Sequence, residues 1–543
     1  MPRGFTTHRA FLAVTCLAAL IACGGGGGSA PAVVTTPSLP AADVSSVAAA
    51  DLGSTLPAGW QHGAFIEIFV RSYQDSNGDG SGDLQGLISR LDYLKALGVT
   101  GLWLMPVTPS QDGDHGYAVR DYRGIEAAYG SLPDMDALIA QAHARGIGVV
   151  LDYVMNHSAA QNPLFVNSSD SPVNTYRDWY LWQTPAPGGW NVFGANPWRT
   201  AASGSYYAPF WDQMPDFNLA NPAVVEYHKS NLRWWLNRGV DGFRFDAVGM
   251  LFENGPAAWE DQPRNYSLMA EIRSLLDGYS QRFMVCEGPA DPQGFGAACG
   301  SAFAFDLRAR LVAAAQGNAS AIAAVADYFK TAPAGMATMV SNHDGFAGQR
   351  LWDQVGGNLA QYKLAAASYL LLPGTPCIYY GEEVGMAGAA MIADDGKLRT
   401  PMSWTANTAN AGFSTATPYR ALSANVATQN AATQTSDANS LLTFYKAMLA
   451  LRNARPSISQ GSFEAAFANG NVMGYQRARG SERSLLVFNY GTAAANGVVV
   501  SGLPANALLT SLYPADGSTA SADASGHINL TLSAQSVRVF AVN

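Results

Sequence analysis

Beyond about residue 58, short apolar runs alternate with segments whose apolar positions recur at helical spacing. Strands are expected at 64–70, 99–105, 147–154, 242–246, 283–287, 301–306, 337–341 and 376–380, and helices at 84–97, 135–144 and 224–238. Strands and helices in this alternation imply parallel strands joined by right-handed crossovers. Eight such strands predict an α/β fold, a (β/α)8 TIM barrel.

The alternation breaks between 157 and 218, a stretch rich in Asn, Pro, Trp, Tyr and Gly that is too long for an ordinary loop. It reads as a small domain inserted after the third strand. After a helix at 441–452 and the breaker Pro456, short alternating segments such as 484–489 and 536–542 predict a C-terminal all-β domain. The barrel therefore comes in two parts, 58–156 and 219–455, with the insertion at 157–218 and the β domain at 456–543.

The N-terminus is patterned differently. Arg3, His8 and Arg9 precede an apolar stretch from 10 to 22, too short to span a bilayer, as in the core of a signal peptide. Its end, Leu20-Ile21-Ala22-Cys23, resembles a bacterial lipobox, which implies a lipid at Cys23; Gly24 in place of Asp implies outer-membrane sorting. Residues 1–22 are thus expected to be removed. The low-complexity run 23–57 is expected to be a flexible tether. The expected location is the outer membrane, on its periplasmic or surface face, or free after release, with the lipid at Cys23 as the sole membrane contact.

The chain has 543 residues, 48% hydrophobic and 13% charged, as in a globular protein. A net charge of −9 without a long Lys/Arg run argues against a nucleic-acid partner. The chain is expected to act as a monomer. Among the cysteines, Cys286 and Cys377 sit in apolar strand-like runs and are expected as buried thiols. A Cys286–Cys299 bridge is the alternative open to an exported chain, and no spacing suggests zinc.

The candidate chemistry lies at strand ends. In Gly242-Phe243-Arg244-Phe245-Asp246, residues two apart share a strand face, so Arg244 can hold Asp246 ionised and aimed. Alone, that pattern also serves a structural ion pair. Three other segments accompany it: Asp152-Tyr153-Val154-Met155-Asn156-His157, Val285-Cys286-Glu287-Gly288 and Ser341-Asn342-His343-Asp344. Barrel enzymes carry their catalytic residues at the C-terminal ends of strands, where Asp152, Asp246, Glu287 and Asp344 fall. Four carboxylates at one mouth repel, so some must be paired, hydrogen-bonded or protonated. Separated carboxyl pKa values are how a glycosidase obtains both an acid and a nucleophile.

These four segments, in this order, resemble the conserved regions of the α-amylase family, glycoside hydrolase family thirteen. The run 374–382, His115-Gly116-Tyr117 and the run 399–404 are similar to further motifs of that family. The resemblance implies a retaining mechanism. Asp246 would be the nucleophile, and Glu287 the general acid and then the base, its pKa raised by apolar neighbours. Asp344 would hold two sugar hydroxyls. Arg244 would keep Asp246 ionised, and Asp152 would brace Arg244. Tyr117 would stack on the sugar, and His157 and His343 would donate to its hydroxyls.

The run Asp75-Ser76-Asn77-Gly78-Asp79-Gly80-Ser81-Gly82-Asp83 resembles the first part of an EF-hand loop, with Gly86 where the closing glutamate would stand. Oligo-1,6-glucosidase-like members of the family bind calcium in a similar loop. The resemblance thus implies Ca²⁺ held by Asp75, Asn77, Asp79, Asp83 and the Ser81 carbonyl, away from the chemistry.

The segment Gln213-Met214-Pro215-Asp216-Phe217-Asn218 is similar to a mark of α-amylases intermediate between oligo-1,6-glucosidases and neopullulanases. Ala118, where exo-acting relatives carry Asp, favours an open cleft. The expected function is an α-amylase cutting internal α-1,4 bonds of starch, maltodextrins and related α-glucans. The alternatives are an α-glucosidase or oligo-1,6-glucosidase, and a trehalose-forming transglycosylase. Asp246, Glu287 and Asp344 together argue against a non-catalytic glycan-binding lipoprotein.

Overall fold

A computed structural model of the chain describes residues 41–543. The signal segment, Cys23 and the tether up to residue 40 lie outside the described residues. Six parallel strands run side by side in the order Phe283–Cys286, Gly242–Phe245, Gly148–Tyr153, Gly101–Leu104, Phe65–Ile68 and Cys377–Tyr379. Two shorter segments close the ring. Ala302 bridges in parallel to Cys286, Phe303 bridges to Ala337, and Cys377 N–H donates to Thr338 O at 2.8 Å. Each of these two segments makes isolated bridges in place of a full strand ladder, yet they fill the sixth and seventh places of the expected (β/α)8 barrel.

The barrel interior is packed by Phe65, Trp103, Val150, Phe283, Val285, Phe303 and Met339, with Trp60 closing the floor. Trp60 stacks on Phe65 with centroids 5.3 Å apart. The packing explains two glycines. A Cβ on Gly101 would lie 2.5 Å from the Phe65 ring, and one on Gly148 would lie 2.4 Å from Trp60. This apolar plug is the base on which the polar cluster stands.

The insertion contains the helix Pro163–Asp170 and a three-stranded antiparallel sheet of Trp182–Gln183, Gly204–Tyr207 and Trp198–Ala201. His157 and Asp216 form a β-bridge where the chain leaves and re-enters the barrel. The C-terminal domain pairs a six-stranded antiparallel sheet with the two-stranded sheet of Ala495–Val500 and Ile528–Leu532. Alternation along Ile528–Leu532 puts Ile528, Leu530 and Leu532 into its core.

Three expectations change. The helix expected at 84–97 is two helices, Leu84–Ser89 and Leu91–Leu97. Arg90 breaks it, with its guanidinium bound to Gln74 Oε1 and packed 4.1 Å over the Trp404 ring. Cys286 is not a thiol; it is disulfide-bonded to Cys299. The helix Pro292–Cys299 folds back so that the two Cα atoms lie 6.3 Å apart, a return that local pattern does not reveal. Cys377 is a buried free thiol, as expected.

The third change concerns the tether. Residues 41–57 are bound to the barrel by polar contacts. Asp43 and Ser45 accept from the buried Arg123 at 2.8 and 2.9 Å. Asn237 accepts from Ala50 N–H and donates to Ala48 O, both at 2.9 Å. Asp51 accepts from the Ser280 hydroxyl at 2.6 Å. Low complexity predicts the lack of a core of its own, but backbone groups can still be satisfied by a neighbouring surface. Deleting residues 41–50 should therefore lower the melting temperature, since each lost contact is worth roughly 1 kcal/mol. An unchanged melting temperature would show that this strap adds nothing.

Candidate active site

The strand register sets the centre of the site. Asp152 pairs with Arg244 on the adjacent strand, and Arg244 pairs with Val285, two residues before Glu287. Arg244 Nη1 donates to Asp152 Oδ1 at 2.8 Å and to Asp246 Oδ1 at 2.6 Å. Its Nη2 lies 2.6 Å from Glu287 Oε1. One guanidinium, fully buried, thus serves three carboxyl groups. The predicted Arg244–Asp246 contact is there, and Asp152 braces Arg244 as expected. The contact to Glu287 was missed, because it depends on register between strands that are distant in sequence.

Glu287 and Asp246 are also joined through the backbone. Ala247 N–H donates to Glu287 Oε2 at 3.0 Å. Ala247 has φ of 48°, in the left-handed region that non-glycine residues rarely occupy. That turn directs the amide after Asp246 towards the neighbouring carboxyl.

A second cluster flanks the first. His343 Nδ1 meets Glu67 Oε1 at 2.5 Å. Its Nε2 lies 2.8 Å from Tyr117 Oη and 3.1 Å from Asp344 Oδ2. Tyr117 Oη donates to Asp152 Oδ2 at 2.8 Å, and Trp103 Nε1 donates to the same oxygen at 3.2 Å. His343 is therefore enclosed with both nitrogens engaged, and is not open to a sugar as expected. It braces Asp344 and Tyr117, and the Tyr117 ring stacks on it. The partner responsible, Glu67, was missed, although a glutamate inside the apolar run Phe65–Ile68 was a visible signal.

Above these groups lies a cavity of about 650 Å³. Tyr117, His157, Asp246, Glu287 and Asp344 reach its wall, together with Phe210, Trp211 and Met214 of the insertion and Phe346 beyond Asp344. His157 Nε2 has no partner within the protein, which suits a group that binds a ligand. Ala118 is wholly buried, with its N–H on Asp112 Oδ2, and does not line the cavity. The openness inferred from Ala118 thus loses its footing. Asp114 shares Arg399 with Asp344; it pairs with Arg420 at 2.7 Å and lies 3.6 Å from Arg399. Arg399 in turn is 3.3 Å from Asp344.

The environments separate the carboxyl groups. Burial pushes Asp246 up to about 6, against the pull of Arg244. Burial likewise pushes Glu287 up to about 7, with Arg244 again opposing and Asp246 adding to the rise. Burial also acts on Asp344, but His343 and then Arg399 outweigh it and hold this carboxyl well below the ordinary range. His343 resists burial because Asp344 and Glu67 face it, which raises it to about 10. The cluster thus offers a protonated Glu287 near neutral pH beside an ionised Asp344, and an Asp246 that ionises first of the central pair.

The Asp75–Asp83 loop wraps tightly, but on its own donors. Asp75 Oδ1 takes Asn77 and Gly78 N–H, and Oδ2 takes Gly80 N–H and the Ser414 hydroxyl. Both lone pairs of each Asp75 oxygen are therefore used. Asp83 takes the Ser76 N–H and hydroxyl and caps the next helix through Gly86. Asn77 and Asp79 are exposed, each accepting an N–H from two residues ahead. Among the described residues, no group of three or more His, Cys, Asp or Glu side chains is arranged to hold a metal ion.

A barrel with buried carboxyl groups at the C-terminal ends of its strands, under an inserted domain, defines a barrel-type glycoside hydrolase. The comparisons agree. The sequence profile of the alpha-amylase catalytic domain matches residues 67–461. The chain is 33% identical over 503 residues to a probable alpha-glucosidase of Rhizobium meliloti, covering 80% of this chain and 90% of that one. It is 33% identical over 444 residues to Alpha-amylase 3 of Dictyoglomus thermophilum, covering 79% and 85%. The crystal structure of an alpha-amylase from H. orenii superposes with a TM-score of 0.76 at 29% identity, covering 89% of this chain and 100% of that one. The chain belongs to the α-amylase family.

The raised Glu287 carries a stability consequence with a definite sign. Between the ordinary glutamate value and about 7 the folded state holds a proton that the unfolded state releases, so this contribution is lost as pH rises through 7. Glu287→Gln should stabilise the fold at pH 8 by on the order of 1–3 kcal/mol, with the gain fading towards pH 5. Thermal unfolding of both proteins at the two pH values measures this; no gain at pH 8 would refute it.

Proposed function

We propose that the protein is a retaining hydrolase of α-1,4-glucans, an α-amylase. The observation that carries this reading is the Asp246–Arg244–Glu287 arrangement. Arg244 engages Asp246 Oδ1, leaving Oδ2 to attack the anomeric carbon. As that bond forms, Glu287 gives its proton to the glycosidic oxygen and the leaving chain departs. Glu287, now ionised, takes a proton from water, whose oxygen displaces Asp246 and restores the α configuration. Asp344, ionised throughout, accepts from hydroxyls of the bound ring, with His157 donating nearby.

Exposed Phe210, Trp211 and Phe346 on the rim offer flat faces for further glucose units and favour internal cutting of starch and maltodextrins. A second reading, cutting from the non-reducing end as in an α-glucosidase, is favoured by the Asp114 ion pairs beside Asp344. Maltoheptaose blocked at its non-reducing end separates them. Internal cleavage supports the first reading; activity confined to unblocked substrate, with glucose as sole early product, supports the second.

Asp246→Asn and Glu287→Gln should each reduce kcat by roughly 10³-fold or more with the fold intact. Near-wild-type turnover in either would sink the assignment. The wild-type kcat/KM should follow a narrow bell, falling below about 6 as Asp246 gains a proton and above about 7 as Glu287 loses one. A first product of β configuration, seen by NMR, would exclude retention.

Calcium held by Asp75, Asn77, Asp79, Asp83 and the Ser81 carbonyl is part of the same proposal, supported by the tight wrap of this Asp-rich loop. A chelator should then lower the melting temperature of the wild type but not that of Asp79→Ala. Equal behaviour of the two would leave the loop closed by its own hydrogen bonds. The lipid at Cys23 belongs to the same proposal, and is tested by fatty-acid labelling of the wild type against Cys23→Ser.

A further inference from the structure

At the opposite end of the barrel from the carboxyl cluster lies a second cavity, of about 390 Å³, between the barrel floor and the C-terminal domain. Three arginines line it: Arg273 and Arg282 from the barrel, and Arg477 from the strand Val472–Arg479. Gln61, His62, Ser301, Thr375, Ser459 and Gln460 are its uncharged polar lining, and no carboxylate lines it. Such an unbalanced lining is uncommon in a partly enclosed space, because like charges held together cost free energy without a counter-charge.

The surrounding charge is only partly balanced from behind. Arg477 is buried and donates only to the carbonyls of Ser462, Leu371 and Gly461. Arg452, immediately behind the wall, is equally buried and donates to the carbonyls of His62, Leu370, Leu372 and Gly374. Neither has a carboxylate partner among the described residues. Burial, then the neighbouring Arg477, depresses Arg452 to about 9. Burial and the charges of Arg452 and Arg479 likewise depress His62, which keeps it neutral. Arg273 and Arg282 do meet carboxylates, but these stand outside the cavity lining. Asp277 takes Arg273 Nε at 2.7 Å, while Asp51 and Asp241 lie 3.7 Å from Arg282.

Two buried polar atoms of residues that line this cavity have no partner in the protein. Ser301 Oγ is unbonded although the residue is 4% exposed, and Arg282 Nε is unbonded although its side chain is 2% exposed. Arg273 Nη1 donates to Cys299 O, and Arg282 Nη1 and Nη2 donate to Ser280 O and Gly53 O, so part of each guanidinium is already engaged. A hydroxyl beside guanidinium groups is nonetheless the kind of donor set that recognises a tetrahedral oxyanion. We propose that this floor cavity binds a phosphate-type oxyanion, bridging the barrel to the C-terminal domain. The site is distinct from the sugar-binding mouth and independent of which bond the enzyme cuts.

The test uses the full chain with inorganic phosphate as probe. The melting temperature should rise saturably with phosphate, and the rise should exceed that in potassium chloride of equal ionic strength. Arg273→Gln removes a lining cation that is 38% exposed and so compatible with folding. It should weaken phosphate binding at least about tenfold, the loss of one charge-assisted hydrogen bond, with turnover of maltooligosaccharides unchanged. Ser301→Ala should weaken it as well, and provides the second variant. A rise reproduced by chloride, or one that both variants retain in full, would overturn the proposal.

Discussion

Arg244 carries one positive charge in a site that water scarcely reaches, and three carboxyl groups depend on it. A buried guanidinium is tolerated only with such partners, and each carboxyl group is tolerated only because the guanidinium is there. The wider cluster contains five carboxyl groups, those of Glu67, Asp152, Asp246, Glu287 and Asp344, facing three cations, Arg244, His343 and Arg399. Positive charge therefore falls short, and protons make up the difference. Glu287, pushed up by burial and by Asp246 against the pull of Arg244, holds its proton to a higher pH than Asp246 does. The acid form that glycoside chemistry needs thus follows first from burial and then from a shortage of cations around it.

The rest of the barrel holds this arrangement in place. Register puts Asp152, Arg244 and Val285 side by side, and the aromatic plug beneath leaves the cluster no room to relax downwards. Trp103 belongs to both layers, since its ring packs in the plug while its Nε1 holds Asp152. His343 is fixed from behind by Glu67, so Asp344 meets a cation that cannot swing away. Preorganised dipoles and charges of this kind need no rearrangement when charge develops on a bound sugar.

Local pattern made the barrel, the insertion, the β domain and the positions of the four carboxylates legible. Arg244 and Asp246 are two apart on one strand, so their contact is a local fact. The Arg244–Glu287 contact and the Glu67–His343 pair join strands far apart in the chain, and only closure of the barrel brings them together. The Cys286–Cys299 bridge needs the return of the helix Pro292–Cys299. The strap at 41–57 was misread because low complexity reports the absence of a core and says nothing of a surface that can receive its backbone. Ala118 misled for a related reason. Position 118 is buried away from the cavity, so its side chain says little about the cleft.

A cluster of buried, partly uncompensated carboxyl groups weakens the fold that contains it, and the chain offsets this close by. Cys286 immediately precedes Glu287, and its bridge to Cys299 closes a loop with a sequence separation of 13. A loop of that size removes enough freedom from the unfolded chain to contribute about 3 kcal/mol in the chain-entropy account. That is comparable with the cost of shifting one buried carboxyl group by about two pKa units. The bridge also ties the end of the strand Phe283–Cys286 to a helix at the very position where Glu287 must be held against Arg244. Stability and placement of the acid are therefore served by one covalent link, next to the residue whose burial creates the need for both.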